Sequence, residues 1–327
     1  MPEEVYKHIY RIEIPLPGNP LKSLNAYCIL GGERALLIDT GFNQSECRAA
    51  LMDGLHALGV DRRKLDICVT HLHADHAGLA ASVADGPCTI WCSAGDGQCI
   101  NATTQGAGVF VALCNIMLPH GFDPEELKSL CAAHPGRKYA PDAPLPFTFV
   151  TDGDTLGYNG YTLRICSVPG HTPDSFALYE ARHGLFFSGD HILGDITPNI
   201  TRWADVRDSL GDYLRSLEES ARLDITLTLP GHRSIIHDTG ARIRQIQAHH
   251  MKRLDEVRRI LAEAGPINAY SVASRMTWAM RYASWREFPV PQKWFATGEA
   301  LAHLDRLTAL GEAVEERHGE TSLFRKL

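Results

Sequence analysis

The run Thr70-His71-Leu72-His73-Ala74-Asp75-His76 places four metal-ligating side chains within six positions. Imidazole and carboxylate together suit a borderline divalent ion such as zinc. His71 and His73 are two residues apart, so on extended backbone they point to the same side. Asp75 and His76 fall where the chain enters a helix and can turn toward a second centre. Three later positions share one local form, a strand ending in a ligand-type residue beside glycine. They are Val168-Pro169-Gly170-His171-Thr172, Phe187-Ser188-Gly189-Asp190-His191 and Leu229-Pro230-Gly231-His232. Glycine lets backbone approach closely at a crowded site. A divalent cation held by such a set polarises a carbonyl or phosphoryl oxygen and makes a nucleophile of bound water near neutral pH.

Those ligands need strand ends to carry them, and the sequence supplies a strand–helix alternation that does so. Short apolar runs at 26–30 and 34–38 flank Gly31-Gly32 and read as a hairpin. Residues 44–58 have helical spacing and stop at Gly59. The compact run 65–70 leads directly into the histidine cluster, and 89–92 reads as the next strand. An insertion at about 94–145 interrupts the rhythm, with helical patterns at 106–118 and 124–133. Strands resume at 147–150, 161–168, 175–180 and 185–188, followed by a helix at 205–222 and a strand at 225–229. Beyond about 240 the texture changes to helices at 241–264, 272–280 and 299–310, then a hairpin of 313–317 with 322–325 around Gly319. Helix, helix, helix, hairpin is the order of a winged-helix module. The expected domains are therefore 1–240 and 241–327.

The motif set resembles that of the metallo-β-lactamase superfamily. It comprises His71-x-His73-x-Asp75-His76, then His171, Asp190 and His232, preceded by Asp39 in Leu36-Leu37-Ile38-Asp39-Thr40-Gly41. The match runs from about residue 8 to 240 and is most similar to the glyoxalase II-like and β-lactamase-like-protein-2-like branches, the latter because of the winged-helix-like tail. The resemblance implies an α/β fold, an αββα sandwich with a two-metal site at one edge. It places His71, His73 and His171 on one metal and Asp75, His76 and His232 on the other, with Asp190 between them. Asp39 would steady the ligand loops. The expected cofactors are two divalent ions, zinc first, with iron or manganese as alternatives. There are departures: the gap from His76 to His171 is long, Asp174 stands where many members carry glycine, and the glutathione-binding signature of glyoxalase II is missing.

Two metals about 3.5–4 Å apart hold a hydroxide between them, so neither serine nor cysteine is required as nucleophile. In this scheme Asp75 and Asp190 are catalytic as well as metal-binding, and His191 is a candidate acid for the leaving group. The apolar insertion favours an acyl or ring-bearing small molecule, and Arg137 with Lys138 offers a contact for an anionic tail. An ester, thioester or lactone is the leading substrate class. The alternatives are an endoribonuclease or other phosphodiesterase, a mononuclear iron persulfide dioxygenase, and a DNA-binding regulator.

Charge bears on these alternatives. The chain carries −7 overall. Residues 241–327 hold 14 Lys+Arg against 10 Asp+Glu, net +4, and residues 1–240 hold 18 against 29, net −11. An acidic catalytic domain is a poor nucleic-acid surface, and the 299–310 helix offers only His303 and Arg306 for a groove. A homodimer is compatible with the tail aromatics Trp278, Tyr282, Trp285 and Trp294, although tail core is their more ordinary role. His249-His250 reads as a solvated helix face, and His120, His134 and His237 have no assigned role. The expectation is a cytoplasmic protein without signal peptide or membrane span, its nine cysteines (Cys28 to Cys166) free thiols without a disulfide framework.

Overall fold

The apolar runs assemble into two sheets because each strand has a face that water must leave. The computed structural model describes residues 1–106, 109–279 and 282–327. The first sheet holds β1 (Glu3–Tyr6), β2 (Ile9–Pro15), β3 (Ser23–Ile29), β4 (Ala35–Ile38), β5 (Leu65–Cys68), β6 (Ile90–Ser93) and β7 (Phe147–Val150) in sequential order. Its first four strands pair antiparallel and β4 to β7 run parallel. The second sheet has the order β12 (Leu227–Pro230), β11 (Leu185–Gly189), β10 (Phe176–Glu180), β9 (Tyr161–Ser167) and β8 (Thr155–Tyr158). Residues of both sheets share one core, including Ile29, Leu36 and Ile38 from the first and Leu163, Leu178 and Phe187 from the second. Tyr27 meets Phe187 edge-to-face with centroids 5.5 Å apart. Its hydroxyl cannot be left unpaired in such a core and donates to the Pro230 carbonyl at 2.8 Å. The core is thereby tied to a loop that carries a ligand candidate.

The helices are α1 (Ser45–Ala57), α2 (Ala74–Ala77), α3 (Ala80–Val83), α4 (Ala94–Thr104), α5 (Val109–Met117), α6 (Pro124–Ala133), α7 (Pro135–Lys138), α8 (Ser209–Ser220), α9 (Thr239–Ala264), α10 (Ala269–Arg275) and α11 (Val290–Ala309). Helix α1 buries Cys47, Leu51, Gly54 and Leu55, and Gly54 lies so close to Ile12 of β2 that a Cβ would come within 2.6 Å of it. By their contacts the described residues divide into two compact units. One comprises 1–109, 135–198 and 216–243, and the other 110–134, 199–215 and 244–327. The second unit thus takes the middle of the insertion as well as the tail.

Several local expectations need adjusting. Strands β1, β2 and β8 and helices α3, α4 and α7 were not anticipated from the sequence. The 106–118 helix begins at Val109, with residues 107 and 108 outside those described. The 272–280 helix spans Ala269–Arg275 and stops before Met276, with residue 280 again outside. Helix α11 starts nine residues before 299, where Pro289 and Pro291 open its first turn. It is followed by the antiparallel hairpin of β13 (Ala313–His318) and β14 (Thr321–Lys326).

Within the second unit, His250 corrects the solvated-face reading. It is buried, and its Nδ1 lies 3.3 Å from His303 Nε2. The rings of Tyr213 and His303 pack near it, while His249 stays on the wetter side. His303 is itself fully buried, and Arg306 is paired with Asp208 at 2.9 Å. Arg202 anchors the same unit by pairing with Asp305 and Glu315 and lying over Phe324.

The free-thiol expectation is also corrected. Cys114 of α5 and Cys131 of α6 form a disulfide with Cα atoms 6.5 Å apart, and the other seven cysteines are free. The two cysteines are 17 residues apart, which leaves no short-spacing motif in the sequence. Alkylation of the unfolded, unreduced chain should therefore label seven cysteines, and nine after reduction. Cys131→Ser should cost about 3 kcal/mol in denaturant unfolding, the scale for a bridge that closes a loop of this length. Nine labelled cysteines before reduction would refute the bridge.

Candidate metal centre

The ligand candidates meet where strand ends from both sheets converge. Strand β5 ends at Cys68, and the chain continues through Thr70, His71 and His73 before winding into α2, which carries Asp75 and His76. His171 follows β9, Asp190 follows β11 and His232 follows β12. These side chains form three overlapping groups of close ligand atoms: His71, His73 and His171; His71, His76 and Asp190; and Asp75, His76 and His232.

The distances are those of lone pairs aimed at common points. His73 Nδ1 stands 3.1 Å from His71 Nε2 and 3.0 Å from His171 Nε2. Imidazole nitrogens sharing a tetrahedral zinc at about 2.0–2.1 Å stand roughly 3.3 Å apart. His232 Nε2 lies 3.3 Å from Asp75 Oδ2. Asp190 faces both sides, with Oδ1 at 3.5 Å from His76 Nε2 and 3.6 Å from His232 Nε2, and Oδ2 at 3.6 Å from His171 Nε2.

Neighbouring groups fix which nitrogen keeps the proton. His76 Nδ1 donates to Asp39 Oδ2 at 2.7 Å. His232 Nδ1 donates to the Ser23 carbonyl at 2.6 Å. The Thr70 hydroxyl gives its proton to Asp39 and so accepts from His71 Nδ1 at 3.1 Å. In all three rings the Nε2 lone pair is left facing inward, the tautomer that a metal ligand requires. His76 Nε2, His232 Nε2 and Asp190 Oδ1 are buried with no hydrogen-bond partner among the described residues. Orphaned buried acceptors of this kind are costly, and a cation between them removes the cost. The donor set therefore fits two divalent ions.

The electrostatics agree. Burial, and next the other imidazoles, hold His71 well below the ordinary histidine range. Burial and His171 push His73 down to about 3. At His76 burial works the same way, but the carboxylates of Asp39, Asp190 and Asp75 outweigh it and raise the ring to about 10. Burial would raise Asp190, yet His232, His76 and His171 bring it below its usual value. The carboxylates thus call for positive charge at His76, which a proton on Nε2 would supply only where a cation does not.

Backbone contacts hold the parts in register. The Asp39, Thr40 and Gly41 amides donate to the carbonyls of Cys68, His76 and Asp75. Asp39 adopts φ +62 to do so. Asn25 Nδ2 donates to the carbonyls of Pro230 and Arg233. The expected close approach at glycine is met at Gly231, where a Cβ would lie 2.8 Å from Asp190 Oδ1 and 2.8 Å from His76 Cε1. Sequence reasoning missed Ser23, Asn25, Thr70, Asp96 and Thr172. Only Thr70 and Thr172 carried a signal, as chain neighbours of ligands.

His191 is buried, its Nε2 sits 3.0 Å from Ser220 Oγ, and its ring packs near Phe186. Burial, and next the His171 ring, push it down to about 3. Arg137 and Lys138 are exposed, and Lys138 lies over the Tyr139 ring, which packs on Phe42. Among the described residues no helix is long and apolar enough to cross a membrane.

A family model described as the metallo-β-lactamase superfamily matches residues 20–92 and 105–232. A β-lactamase-like protein 2 homolog from Caenorhabditis elegans is 26% identical over 269 residues, 81% of this chain and 75% of that protein. A probable metallo-hydrolase from Bacillus subtilis is 26% identical over 313 residues, 91% and 92% of the two chains. An atrochrysone carboxyl ACP thioesterase from Aspergillus fumigatus is 25% identical over 239 residues, 72% of this chain and 60% of that one. Among solved structures, a metallo-β-lactamase family protein from Thermus thermophilus superposes with TM-score 0.81 at 25% identity, covering 98% of this chain and 99% of the other.

Gly231→Ala tests how tightly the centre is packed. The added methyl should displace Asp190 or His76, cost about 1–3 kcal/mol, and lower bound metal at least about tenfold in chelator competition. A variant with unchanged metal affinity would show that the loop relaxes without disturbing its ligands.

Proposed function

Because the chain belongs to the metallo-β-lactamase superfamily, we propose that it is a two-metal hydrolase acting on an ester-type bond, in a thioester, ester or lactone, of an acyl small molecule. The observation that carries this reading is the placement of Asp190, with one carboxylate oxygen toward His76 and His232 and the other toward His171. His71, His73 and His171 would hold one ion, and Asp75, His76 and His232 the other. When bound, such a pair of ions supplies a nucleophile from water at neutral pH and polarises the scissile carbonyl. The chain's own residues set the stage for that step. Asp39 and Ser23 keep the protons of His76 and His232 on Nδ1, and Asp190 spans the two groups. His191, whose Nε2 lies 3.0 Å from Ser220 Oγ, remains the candidate acid for the leaving group.

The ester-type class is supported by the relative named as an acyl-carrier-protein thioesterase. A nucleic-acid substrate is disfavoured by the −11 charge on residues 1–240. A DNA-reading role for the tail is disfavoured by the burial of His303 and the pairing of Arg306 with Asp208.

Elemental analysis of gently purified protein should find about two equivalents of zinc, iron or manganese, and chelation should abolish hydrolysis. Asp190→Ala should lower metal content and turnover together. The loss in turnover should exceed the 10–100-fold typical of residues that only orient ligands. Full activity without a transition metal, or near-normal metal and turnover in Asp190→Ala, would refute the reading. In a panel of thioesters, lactones, phosphodiesters and RNA, turnover should be confined to the acyl substrates. Cleavage of RNA or phosphodiesters alone would reassign the substrate class.

A further inference from the structure

A second buried carboxylate faces the ligand loops and has no place in the scheme so far. Asp96 lies in the first turn of α4 and is 1% exposed. Its Oδ2 accepts from the Leu72 amide at 3.0 Å and from the Thr172 hydroxyl at 2.6 Å. Leu72 stands between His71 and His73, and Thr172 follows His171. Every histidine of this group is thus the chain neighbour of a residue that Asp96 holds.

The clamp is reciprocal. Ser93, at the N-cap of α4, makes no side-chain capping bond. The cap comes from the loop after His171, where Asp174 Oδ2 accepts from the Gly95 amide at 2.7 Å. A Cβ on Gly95 would stand 3.0 Å from that oxygen, so the approach is close. Asp174, where the family resemblance leads one to expect glycine, is therefore half of a two-carboxylate lock between α4 and the His171 loop. Asp39 makes no contact with this loop; its bonds go to Thr70 and His76.

We propose that Asp96 is the positioning residue of the His71, His73 and His171 group, setting the spacing of two loops that come from different sheets, while Asp39 serves the His76 side. The proposal rests on the two-metal reading above. Removing Asp96 should loosen one ion and spare the other.

The test is zinc binding by chelator competition, with far-UV circular dichroism as the check on folding. Asp96→Ala should retain one equivalent at wild-type affinity and bind the other about 10–100-fold more weakly. Asp96→Asn should recover most of that loss, because its amide oxygen still accepts from Leu72 and Thr172. In a His232→Ala background, which leaves the His71 group as the principal site, Asp96→Ala should weaken the remaining equivalent by the same factor. In a His73→Ala background it should change nothing. If Asp96→Ala fails to fold, Thr172→Val removes one arm of the clamp and should weaken the same single equivalent. Unchanged affinities, or equal weakening of both equivalents, would overturn the proposal. A wild-type protein that binds no zinc, iron or manganese would overturn the metal reading itself.

Discussion

The centre is built on a repulsion. Five imidazoles and two carboxylates turn their ligand atoms toward one another in a buried space, and three of the rings commit an Nδ1 proton elsewhere. His76 gives its Nδ1 proton to Asp39, His232 to the Ser23 carbonyl and His71 to Thr70. Such an arrangement is unfavourable alone, and the sandwich must hold it in place. The shared core of the two sheets supplies the cohesion, and Tyr27 connects that core to the Pro230 loop through a single hydrogen bond. The rigidity that keeps the ligands converged is thus a property of packing some distance from them.

Much of this was legible in the sequence because metal ligands need definite residue types at strand ends. The run from His71 to His76 and the three glycine-flanked positions stand out by residue type, and the fold brings them together. What escaped was of another kind. Asn25 reaches Pro230 across 205 residues, and Asp96 reaches Thr172 across 76. Single polar residues on unremarkable stretches carry no periodic signal, so only the folded chain shows what they hold. The disulfide between Cys114 and Cys131 and the burial of His250 beside His303 were hidden for a similar reason, as neither contact leaves a pattern in the sequence.

The second unit shows how a helical order can be read correctly while its surface is misjudged. Helices α9, α10 and α11 and the β13–β14 hairpin follow the expected order. Yet the polar residues that would face a partner are spent internally. His303 stacks beside His250, Arg306 holds Asp208, and Arg202 is enclosed by Asp305 and Glu315 beneath Phe324. A short count of basic residues on a helix says little until their existing counter-charges are known.

The position of Asp190 carries a thermodynamic consequence. One carboxylate shared between two ligand groups cannot satisfy either without altering its charge and orientation toward the other. The two groups are therefore linked sites, and linkage is reciprocal: whatever factor the filling of one imposes on the affinity of the second, the second imposes on the first. The half-filled protein is then a distinct chemical species, whose abundance at limiting metal is set by the sign of that coupling and not by either affinity alone.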